Sequence, residues 1–338
     1  MEHRPATLHV FNPWHDEALA SGSPFYCPTR TARRWADRMG RLPLVWAPAG
    51  DAVMLADGTI VDARREPVGL DRIGRVAPWG WDALLCRKLR ASGLGHGLLP
   101  GAGTLAGIRA LSHRRTAARL LESLTQEDPL YIGRVHEARS MAEIDRLLGE
   151  WGTLVLKAPW SGSGRGVWRL EAGAPETFRR RAERVIRLQG SLMAEPLYDR
   201  RQDFGMEFEA RADGSVAYAG LSLFDSTAGG EYTASLLLPE DELRQRVGGV
   251  SPERLGALAR SLETRLGRLL AGRYTGPLGV DMMTVMTPGG PALHPAVEIN
   301  LRLTMGHVAL RFLACHPETA GRRLSPEEML NYAGFTGT

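Results

Sequence analysis

Residues 153–171 read TLVLKAPWSGSGRGVWRLE, in which an apolar run ends at Lys157 and a glycine-rich turn leads into a second apolar run. The alternating glycines, Gly162, Gly164 and Gly166, leave backbone N–H groups unobstructed by a Cβ, and a lysine ammonium beside them attracts the same anion. A dinucleotide-binding fingerprint requires a helix after the glycines, whereas VWRLE is typical of a strand. The stretch therefore predicts a hairpin loop over phosphate groups; the alternative is a flexible hairpin tip with a chance lysine.

Lysine is scarce in this chain, which contains 40 arginines and two lysines, Lys88 and Lys157. This scarcity favours a specific use for Lys157. Basic and acidic residues are interleaved along the whole length, so that the net charge is only +4 despite a pI of about 9.2. Because no five-residue block of like charge is present, nucleic-acid binding is not favoured.

The composition, 43% hydrophobic and 24% charged over 338 residues, indicates a globular protein with two or three folding units and excludes a disordered chain. No apolar run approaches the 18 residues of a membrane span, and the N-terminal residues are interrupted too early for a secretory signal. We therefore expect a cytoplasmic protein without membrane contact. Three separated cysteines without CxxC spacing indicate reduced thiols rather than a disulfide framework or a zinc site.

A second pattern, GPLGVDMMTVMTPGGPALHPAVEINLRL, occupies residues 276–303. A hairpin turn centred on Gly289 and Gly290 places Asp281 opposite Glu298. Strand alternation then puts three polar residues on one face, Glu298, Asn300 and Arg302. Two facing carboxylates about 5 Å apart repel each other unless a cation lies between them. Since Asp, Glu and Asn oxygens suit Mg²⁺, the pattern predicts a magnesium site, with a solvated outer face of an edge hairpin as the alternative.

The remaining periodicity predicts a small parallel α/β unit over residues 1–110, then two lobes over residues 111–190 and 191–338. In the first unit, an Asp57-Gly58 turn indicates a hairpin. In the second, Ser140 and Glu143 have capping-box spacing. Strands are expected at 7–12, 42–47, 52–56, 59–61, 130–135, 153–160, 166–171, 191–198, 203–211, 215–224, 231–238, 276–286 and 292–301. Helices are expected at 29–39, 79–91, 104–124, 140–149, 175–188, 252–271 and 304–313.

These motifs together resemble the ATP-grasp superfamily, which includes biotin carboxylase and D-alanine:D-alanine ligase. They are a lysine before a glycine-rich hairpin, a strand that ends in the acidic Glu195, and an Asp followed by Glu-x-Asn-x-Arg. The resemblance covers about residues 105–312 and extends more loosely to the N-terminal unit. It implies an α/β (α+β) fold, in which a small parallel α/β domain precedes a two-lobed ATP-binding domain with antiparallel sheets.

The resemblance also implies how ATP would be held. Lys157 is similar to the strand lysine that touches the α- and β-phosphates. The mobile lid corresponds to Gly162, Ser163, Gly164, Arg165 and Gly166, with Arg165 near the γ-phosphate. Glu195 would accept the adenine amino group, the backbone near Leu197 would bind the ring, and Asp203 is similar in position to the residue that holds the ribose.

By the same resemblance, Asp281, Glu298 and Asn300 match ligands of Mg²⁺, for which Mn²⁺ can substitute, and Arg302 matches the arginine that steadies the phosphorylated intermediate. One position departs from the family pattern. A phosphate-binding lysine is expected on the helix that leads into the ATP-binding domain, whereas this chain has Arg114 and Arg115 there. Arginine also binds phosphate bidentately, so this departure does not exclude the function; the sequence does not distinguish the two, and a surface position for both is the alternative.

Substrate contacts are expected at the first β-α junction, FNPWHDEALA, because open α/β sheets bind ligands there. The candidates are Asn12, His15 and Asp16; a helix-capping aspartate beside a satisfied histidine is the alternative. The loop at 226–234 either closes over the acceptor or is a plain hairpin connection. Three histidines without metal-ligand spacing are expected to be structural, His294, His307 and His316.

We therefore expect an ATP-dependent ligase that converts a carboxylate into an acyl phosphate for attack by an amine or another nucleophile, releasing ADP and phosphate. Lys157, Arg165 and Arg302 would neutralise the charge of the transferring group. Small-molecule or peptide-like carboxylates and amines are the expected substrates, and a homodimer is compatible with the sequence. The alternatives are a small-molecule kinase of the same fold and a nucleotide-binding regulatory or scaffold protein without turnover.

Overall fold

The computed structural model describes residues 4–162, 164, 166–227 and 229–335. Its strands form three sheets, a four-stranded mixed sheet near the N-terminus followed by antiparallel sheets of four and six strands. This α/β architecture confirms the expected fold class. Among the described residues, no helix combines the length and the apolar character needed to cross a membrane.

The N-terminal sheet has the strand order β3, β2, β1, β4, and its buried strand β1 pairs in parallel with β2 and β4. The strands are β1 (Ala6–Val10), β2 (Ala52–Met54), β3 (Ile60–Asp62) and β4 (Ile73–Pro78). The helices are α1 (His15–Ser21), α2 (Arg30–Met39) and α3 (Ala83–Ala91). The expected hairpin is confirmed, since β2 and β3 pair antiparallel on either side of Asp57-Gly58.

The expected strand at 42–47 is wrong. Leu42–Val45 form a 3₁₀ turn with Pro43 near its start, and a proline has no N–H with which to join a sheet. All four residues are buried, and Leu42 and Val45 share a core with the C-terminal helices, so the apolar run reflects tertiary packing rather than a strand. The strand that flanks β1 on its other side is β4, which the sequence did not predict.

The small antiparallel sheet has the strand order β5, β8, β6, β7. Its strands are β5 (His136–Ala138), β6 (Thr153–Lys157), β7 (Val167–Glu171) and β8 (Leu192–Pro196). Its helices are α6 (Met141–Trp151) and α7 (Glu176–Gln189). The Ser140 side chain accepts a hydrogen bond from the Glu143 amide, as the capping pattern predicts. Apolar side chains of both helices pack against the strands in one core.

Two predicted elements around this sheet differ from the structure. Over 130–135, Tyr131 forms only an isolated bridge with Leu293. The helix expected at 104–124 is two helices, α4 (Ala102–Leu111) and α5 (Arg115–Leu124). The helix breaks between them because the Arg114 amide donates to the Pro159 carbonyl, a tertiary contact that no local pattern reveals.

The large antiparallel sheet has the strand order β13, β12, β9, β10, β11, β14. Its strands are β9 (Asp199–Ala210), β10 (Val216–Ser226), β11 (Tyr232–Leu236), β12 (Gly276–Thr287), β13 (Gly290–Asn300) and β14 (Arg323–Leu324). Its helices are α8 (Glu240–Arg246), α9 (Pro252–Leu270), α10 (Met305–Cys315) and α11 (Pro326–Tyr332). Phe204, Met206 and Phe208 of β9 share a core with the leucines of α9, so the intervening Gly205 and Glu207 lie on the other face of the sheet.

The C-terminal segment returns to the N-terminal unit. Met329 and Leu330 of α11 and Phe312 of α10 share a buried cluster with Met39 and Leu42. The N-terminal unit and the large sheet are therefore joined by a common apolar core.

The hairpin of β12 and β13 pairs Asp281 with Glu298, as predicted, although its turn is placed differently. Thr287 pairs with Gly290, so the turn consists of residues 288 and 289. Near the site, β13 contains a bulge with two more residues than the facing part of β12, and the bulge restores the predicted pairing. Pro295, which has no N–H for the ladder, lies in this bulge.

Candidate functional site

The lysine predicted to bind phosphate lies where the small sheet meets the large sheet, within electrostatic range of His294 and Glu298 of β13, and we call this region the cleft. Lys157 ends β6, and its Nζ lies 2.6 Å from Oε1 of Glu195 on the neighbouring strand β8. Both side chains are buried. The lysine is thus held at the strand end by a carboxylate, and the expected contact of Glu195 with adenine stays a prediction.

His294 of β13 lies within electrostatic range of this ion pair. It is fully buried, and neither ring nitrogen has a hydrogen-bond partner among the described residues. The Tyr198 ring packs edge-on against it at 5.7 Å. Burial lowers the pKa of His294 to about 4, so the imidazole is neutral near pH 7. From the sequence, His294 was expected to be structural. The spacing of histidines along a chain does not indicate a contact between two lobes.

The predicted metal ligands converge on the hairpin of β12 and β13. Asp281 faces Glu298, and the Asn300 amide donates to Oδ2 of Asp281 at 3.0 Å. Burial raises the pKa of Asp281 to about 7, with Glu298 and Glu207 adding to the effect. Burial also raises the pKa of Glu298 despite the nearby guanidinium of Arg114. Two carboxylates that resist ionisation together favour a cation between them.

The structure brings Arg114, rather than Arg115, into the cleft. The Arg114 guanidinium lies 2.9 Å from Glu298, and it donates to the carbonyls of Ala158 and Ser161 at 3.1 and 3.0 Å. Arg115 turns away and pairs with Glu137 at 3.0 Å. Arg114 therefore connects the metal hairpin with the chain that follows Lys157.

Arg302 joins this cluster through the N-terminal unit. Its Nε and Nη2 donate to the two oxygens of Asp16 at 3.2 and 3.1 Å. Burial by itself would raise the pKa of Asp16, but Arg302 and His15 hold it below the ordinary value. A Cβ at Gly162 would clash with Oδ2 of Asp16, so any other residue at this position of the loop would displace the Asp16 carboxylate. Asp16 thus connects α1, the glycine-rich loop and the metal hairpin.

The other two substrate candidates, Asn12 and His15, contact residues of the N-terminal unit. The Asn12 amide donates to the Gly80 carbonyl and to Asp82, at 2.8 and 2.9 Å. Nδ1 of His15 lies 3.3 Å from the same Asp82 carboxylate, which also caps α3. Asn12 is therefore occupied within the N-terminal unit, whereas Asp16 pairs with Arg302 and lines a small cavity there together with His15.

The glycine-rich loop touches a second loop. Gly164 has φ +70°, and a Cβ on it would lie 2.6 Å from the Gly229 carbonyl. Gly166 also has a positive φ. Within the segment at 226–234, residues 227–231 connect β10 with β11 as a hairpin, and Gly229 lies against Gly164 of the loop that follows Lys157. Two expected lid residues, Ser163 and Arg165, lie outside the described residues.

The two nucleotide contacts expected after β8, the backbone at Leu197 and the side chain of Asp203, already have partners within the protein. The Leu197 amide donates to the Thr153 carbonyl at 3.2 Å, because β8 continues its ladder with β6. The donor expected from the backbone at Leu197 is therefore already used. Asp203 faces Met283 across β9 and β12, and its Oδ2 accepts from Arg200 and Ser226.

Sequence reasoning missed Glu207, a buried carboxylate behind Asp281. It accepts hydrogen bonds from Thr304 and Ser222 at 2.7 and 2.9 Å and lies 3.0 Å from Nδ1 of His307. Burial alone would raise its pKa, but His307 and these donors hold it below the ordinary value. The alternation DFGMEFEA already places Glu207 opposite the apolar face of β9, so the signal was present in the sequence.

No group of three or more His, Cys, Asp or Glu residues that could hold a metal ion occurs among the described residues. The hairpin supplies two carboxylates and the Asn300 amide oxygen instead. This donor set fits Mg²⁺, which usually takes one or two carboxylates and keeps water and phosphate oxygens in its other positions.

Comparison with known proteins gives matches at the level of structure. No protein-family model and no curated protein matches the chain. The chain is similar to D-alanyl-alanine synthetase A from Vibrio cholerae, at 14% identity and a TM-score of 0.49 over 98% of each chain. It is also similar to N5-carboxyaminoimidazole synthetase from Staphylococcus aureus complexed with ADP, at 10% identity and a TM-score of 0.49 over 94% of this chain and 78% of that one.

A third similar structure is an ATP-grasp RimK domain protein from Sphaerobacter thermophilus, with 18% identity and a TM-score of 0.44 over 92% of this chain and 98% of that one. The three matches cover 92–98% of this chain, each at a TM-score below 0.5.

Proposed function

We propose that the cleft binds ATP with Mg²⁺ and that the protein is a carboxylate ligase. A substrate carboxylate oxygen attacks the γ-phosphorus, the bond to the β–γ bridging oxygen breaks, and ADP leaves. An amine or another nucleophile then attacks the acyl carbon, and phosphate leaves. The observation that carries this proposal is the facing pair Asp281 and Glu298, surrounded by Arg114, Arg302 and Lys157.

The carboxylate pair supports a metal-dependent reaction. Asp281, Glu298 and the Asn300 amide oxygen would hold Mg²⁺, which would supply positive charge to the phosphate oxygens during transfer. Glu207, fixed by Thr304 and His307, lies behind Asp281 and adds negative charge to the same place. The fold therefore concentrates carboxylates where a divalent cation would relieve their repulsion.

Among the described residues, three cations line the cleft, and each is held by a carboxylate. Lys157 pairs with Glu195 and Arg302 with Asp16. Arg114 pairs with Glu298. A polyphosphate offers these cations stronger acceptors, since charge-assisted contacts to phosphate oxygens are short and often bidentate. The paired state holds each cation in position before the nucleotide binds.

The acceptor carboxylate is proposed to enter beside Asp16, where the N-terminal unit meets Arg302. A cavity of about 10 Å³ lies there, lined by His15, Asp16, Trp160, Ser161 and Glu298 among others. This space holds about one water molecule, so binding of a substrate requires Asp16 and Arg302 to separate. Arg302 would then pair with the substrate carboxylate in place of the Asp16 carboxylate.

The experiment is the release of ADP and phosphate by the wild-type protein with Mg²⁺, against pooled carboxylate and amine metabolites. Glu298→Gln should lower ADP release by orders of magnitude while the protein still folds, because one of two repelling charges is removed. Glu242→Gln, an exposed substitution on α8, is the matched control and should keep full activity.

Three outcomes separate the proposed reaction from its alternatives. ADP release that needs both a carboxylate and an amine supports the ligase. A phosphorylated product that accumulates without any amine indicates a kinase instead. Nucleotide binding without ADP release under every substrate pool contradicts catalysis and indicates a regulatory protein.

A further inference from the structure

A second cavity, of about 530 Å³, lies outside the cleft between α5 and α9. Its volume is within the range of small-molecule sites, about 300–1,000 Å³. Five of the lining residues are arginines, and none is acidic. They are Arg115, Arg119, Arg265, Arg268 and Arg273. We call this space the arginine cavity.

The arrangement of the arginines follows from helix geometry. Arg115 and Arg119 are four residues apart on α5, and Arg265 and Arg268 are three apart on α9, so each pair lies on one helix face. The two faces meet across the cavity, and Arg273 follows the end of α9. Like charges at these spacings repel each other, so both helices keep an unfavourable pattern towards the same space.

The charges in this cavity are only partly compensated. Arg115 pairs with Glu137 and Arg265 with Glu127, both outside the lining. In the parts of the chain that the structure describes, the side chains of Arg119, Arg268 and Arg273 are exposed and have no ion pair and no hydrogen bond. The whole chain is nearly balanced, with 42 basic and 38 acidic residues, so a lining whose charged residues are all arginines departs from its overall charge pattern.

We propose that the arginine cavity binds a small, multiply charged oxyanion, distinct from the nucleotide in the cleft. Three uncompensated guanidinium groups match a ligand with about three negative charges, and each fork can bind phosphate or carboxylate oxygens bidentately. Thr116 and Ser123 add hydroxyl groups to the lining. Leu111, Leu120 and Leu269 supply an apolar wall, which suits a ligand whose charged end is attached to a carbon skeleton.

Calorimetric titration with two probes, inorganic pyrophosphate and citrate, tests this site and identifies which oxyanion it prefers. The full-length wild-type protein is compared with the double variant Arg268→Gln/Arg273→Gln. Arg260→Gln, an exposed arginine of α9 outside the cavity, is the matched control. Lys157→Ala identifies any binding of the probes in the cleft.

At least one probe should bind the wild type with one-to-one stoichiometry and should weaken at higher salt. Its Kd should rise at least about tenfold in the double variant, because two charge-assisted contacts are lost. The Kd should not change in Arg260→Gln or Lys157→Ala. The double variant should melt no lower than the wild type, since its substitutions remove repelling charges.

Several results would overturn the proposal. Neither probe binding at millimolar concentration, or equal affinity in the wild type and the double variant, removes the site. Binding that is lost in Lys157→Ala but kept in the double variant assigns the anion to the cleft. A single-stranded RNA that displaces the probe and depends on the same arginines makes the cavity part of a nucleic-acid surface instead.

Discussion

The cleft and the arginine cavity differ in whether their cations are paired with carboxylates. The two sites nevertheless use consecutive residues of one segment. Arg114 points into the cleft and Arg115 lines the cavity. In the cleft, every cation that the structure describes has a carboxylate partner, whereas in the cavity three of five arginines have none. Paired cations are fixed in place before a ligand arrives, while unpaired cations repel one another until an anion binds.

The largest effect is expected where a paired cation of the cleft is removed. Arg302→Met takes away a charge beside the Asp281–Glu298 pair and leaves Asp16 without its cation. We expect ADP formation to fall on the order of 100- to 1,000-fold, the cost of removing one group that stabilises transition-state charge. Arg260→Met removes an exposed arginine and should leave the steady-state rate unchanged. Wild-type turnover in Arg302→Met would contradict a role for this ion pair.

The next effect concerns the unpartnered imidazole in the cleft. Because the pKa of His294 is about 4 in the folded protein and 6.5 in the unfolded chain, the unfolded chain binds more protons between these values. Stability that is present above pH 6.5 should therefore be lost as the pH falls towards 4, by up to about 3 kcal/mol from this residue.

Denaturant unfolding of wild type and His294→Gln at a series of pH values measures this contribution. His113, whose pKa is also lowered to about 4, should give both proteins a common residual slope. The variant should lose a smaller part of its stability between pH 6.5 and 4. Identical pH profiles would show that His294 is not buried in its neutral form.

A smaller effect compares the two lysines of the chain. Lys157 is buried with Glu195, while Lys88 lies over the Trp14 ring at 4.5 Å in the N-terminal unit. Lys157→Ala should weaken ATP binding about 10- to 100-fold, the range for one hydrogen bond to a charged group. The ATP-dependent rise in Tm should shrink accordingly. Lys88→Ala should keep the full rise, and an equal rise in both variants would remove Lys157 from the nucleotide site.

The smallest effect is expected at an unpaired arginine of the arginine cavity. Arg268→Gln removes a cation that has no carboxylate partner in the described chain, and it relieves repulsion along α9. We expect the free energy of unfolding to stay unchanged or to rise by about 0.2–0.5 kcal/mol at low salt. Denaturant titrations at low and high salt measure it. A clear loss of stability would show that Arg268 has a structural partner.

The local patterns predicted those parts of the fold and site that depend on alternation along a strand. The pairing of Asp281 with Glu298 is confirmed, although the turn lies at residues 288 and 289 and a bulge compensates for the difference. The predicted register therefore resulted from two compensating errors, a turn placed one residue too late and a bulge that was not predicted. The strand predicted around Leu42–Val45 is wrong because an apolar run indicates burial without indicating which element covers it.

Contacts between distant segments were beyond the reach of sequence patterns. Nothing local distinguishes Arg114 from Arg115, because the choice depends on the Pro159 carbonyl and on Glu298. The bidentate pair of Asp16 and Arg302 joins residues 286 positions apart. The arginine cavity escaped notice for the same reason, since its residues are unremarkable within each helix and become a cluster only when α5 and α9 pack.

In the proposed site, Asp281 and Glu298 hold a divalent metal together with a nucleotide. Mn²⁺ binding, followed by the paramagnetic resonance of the free ion in the presence of a non-hydrolysable ATP analogue, tests it directly. The wild type and Glu242→Gln should bind Mn²⁺ more tightly with the analogue than without it. Asp281→Asn and Glu298→Gln should each lose most of this binding, and wild-type affinity in both variants would contradict the metal site and the ligase proposal that depends on it.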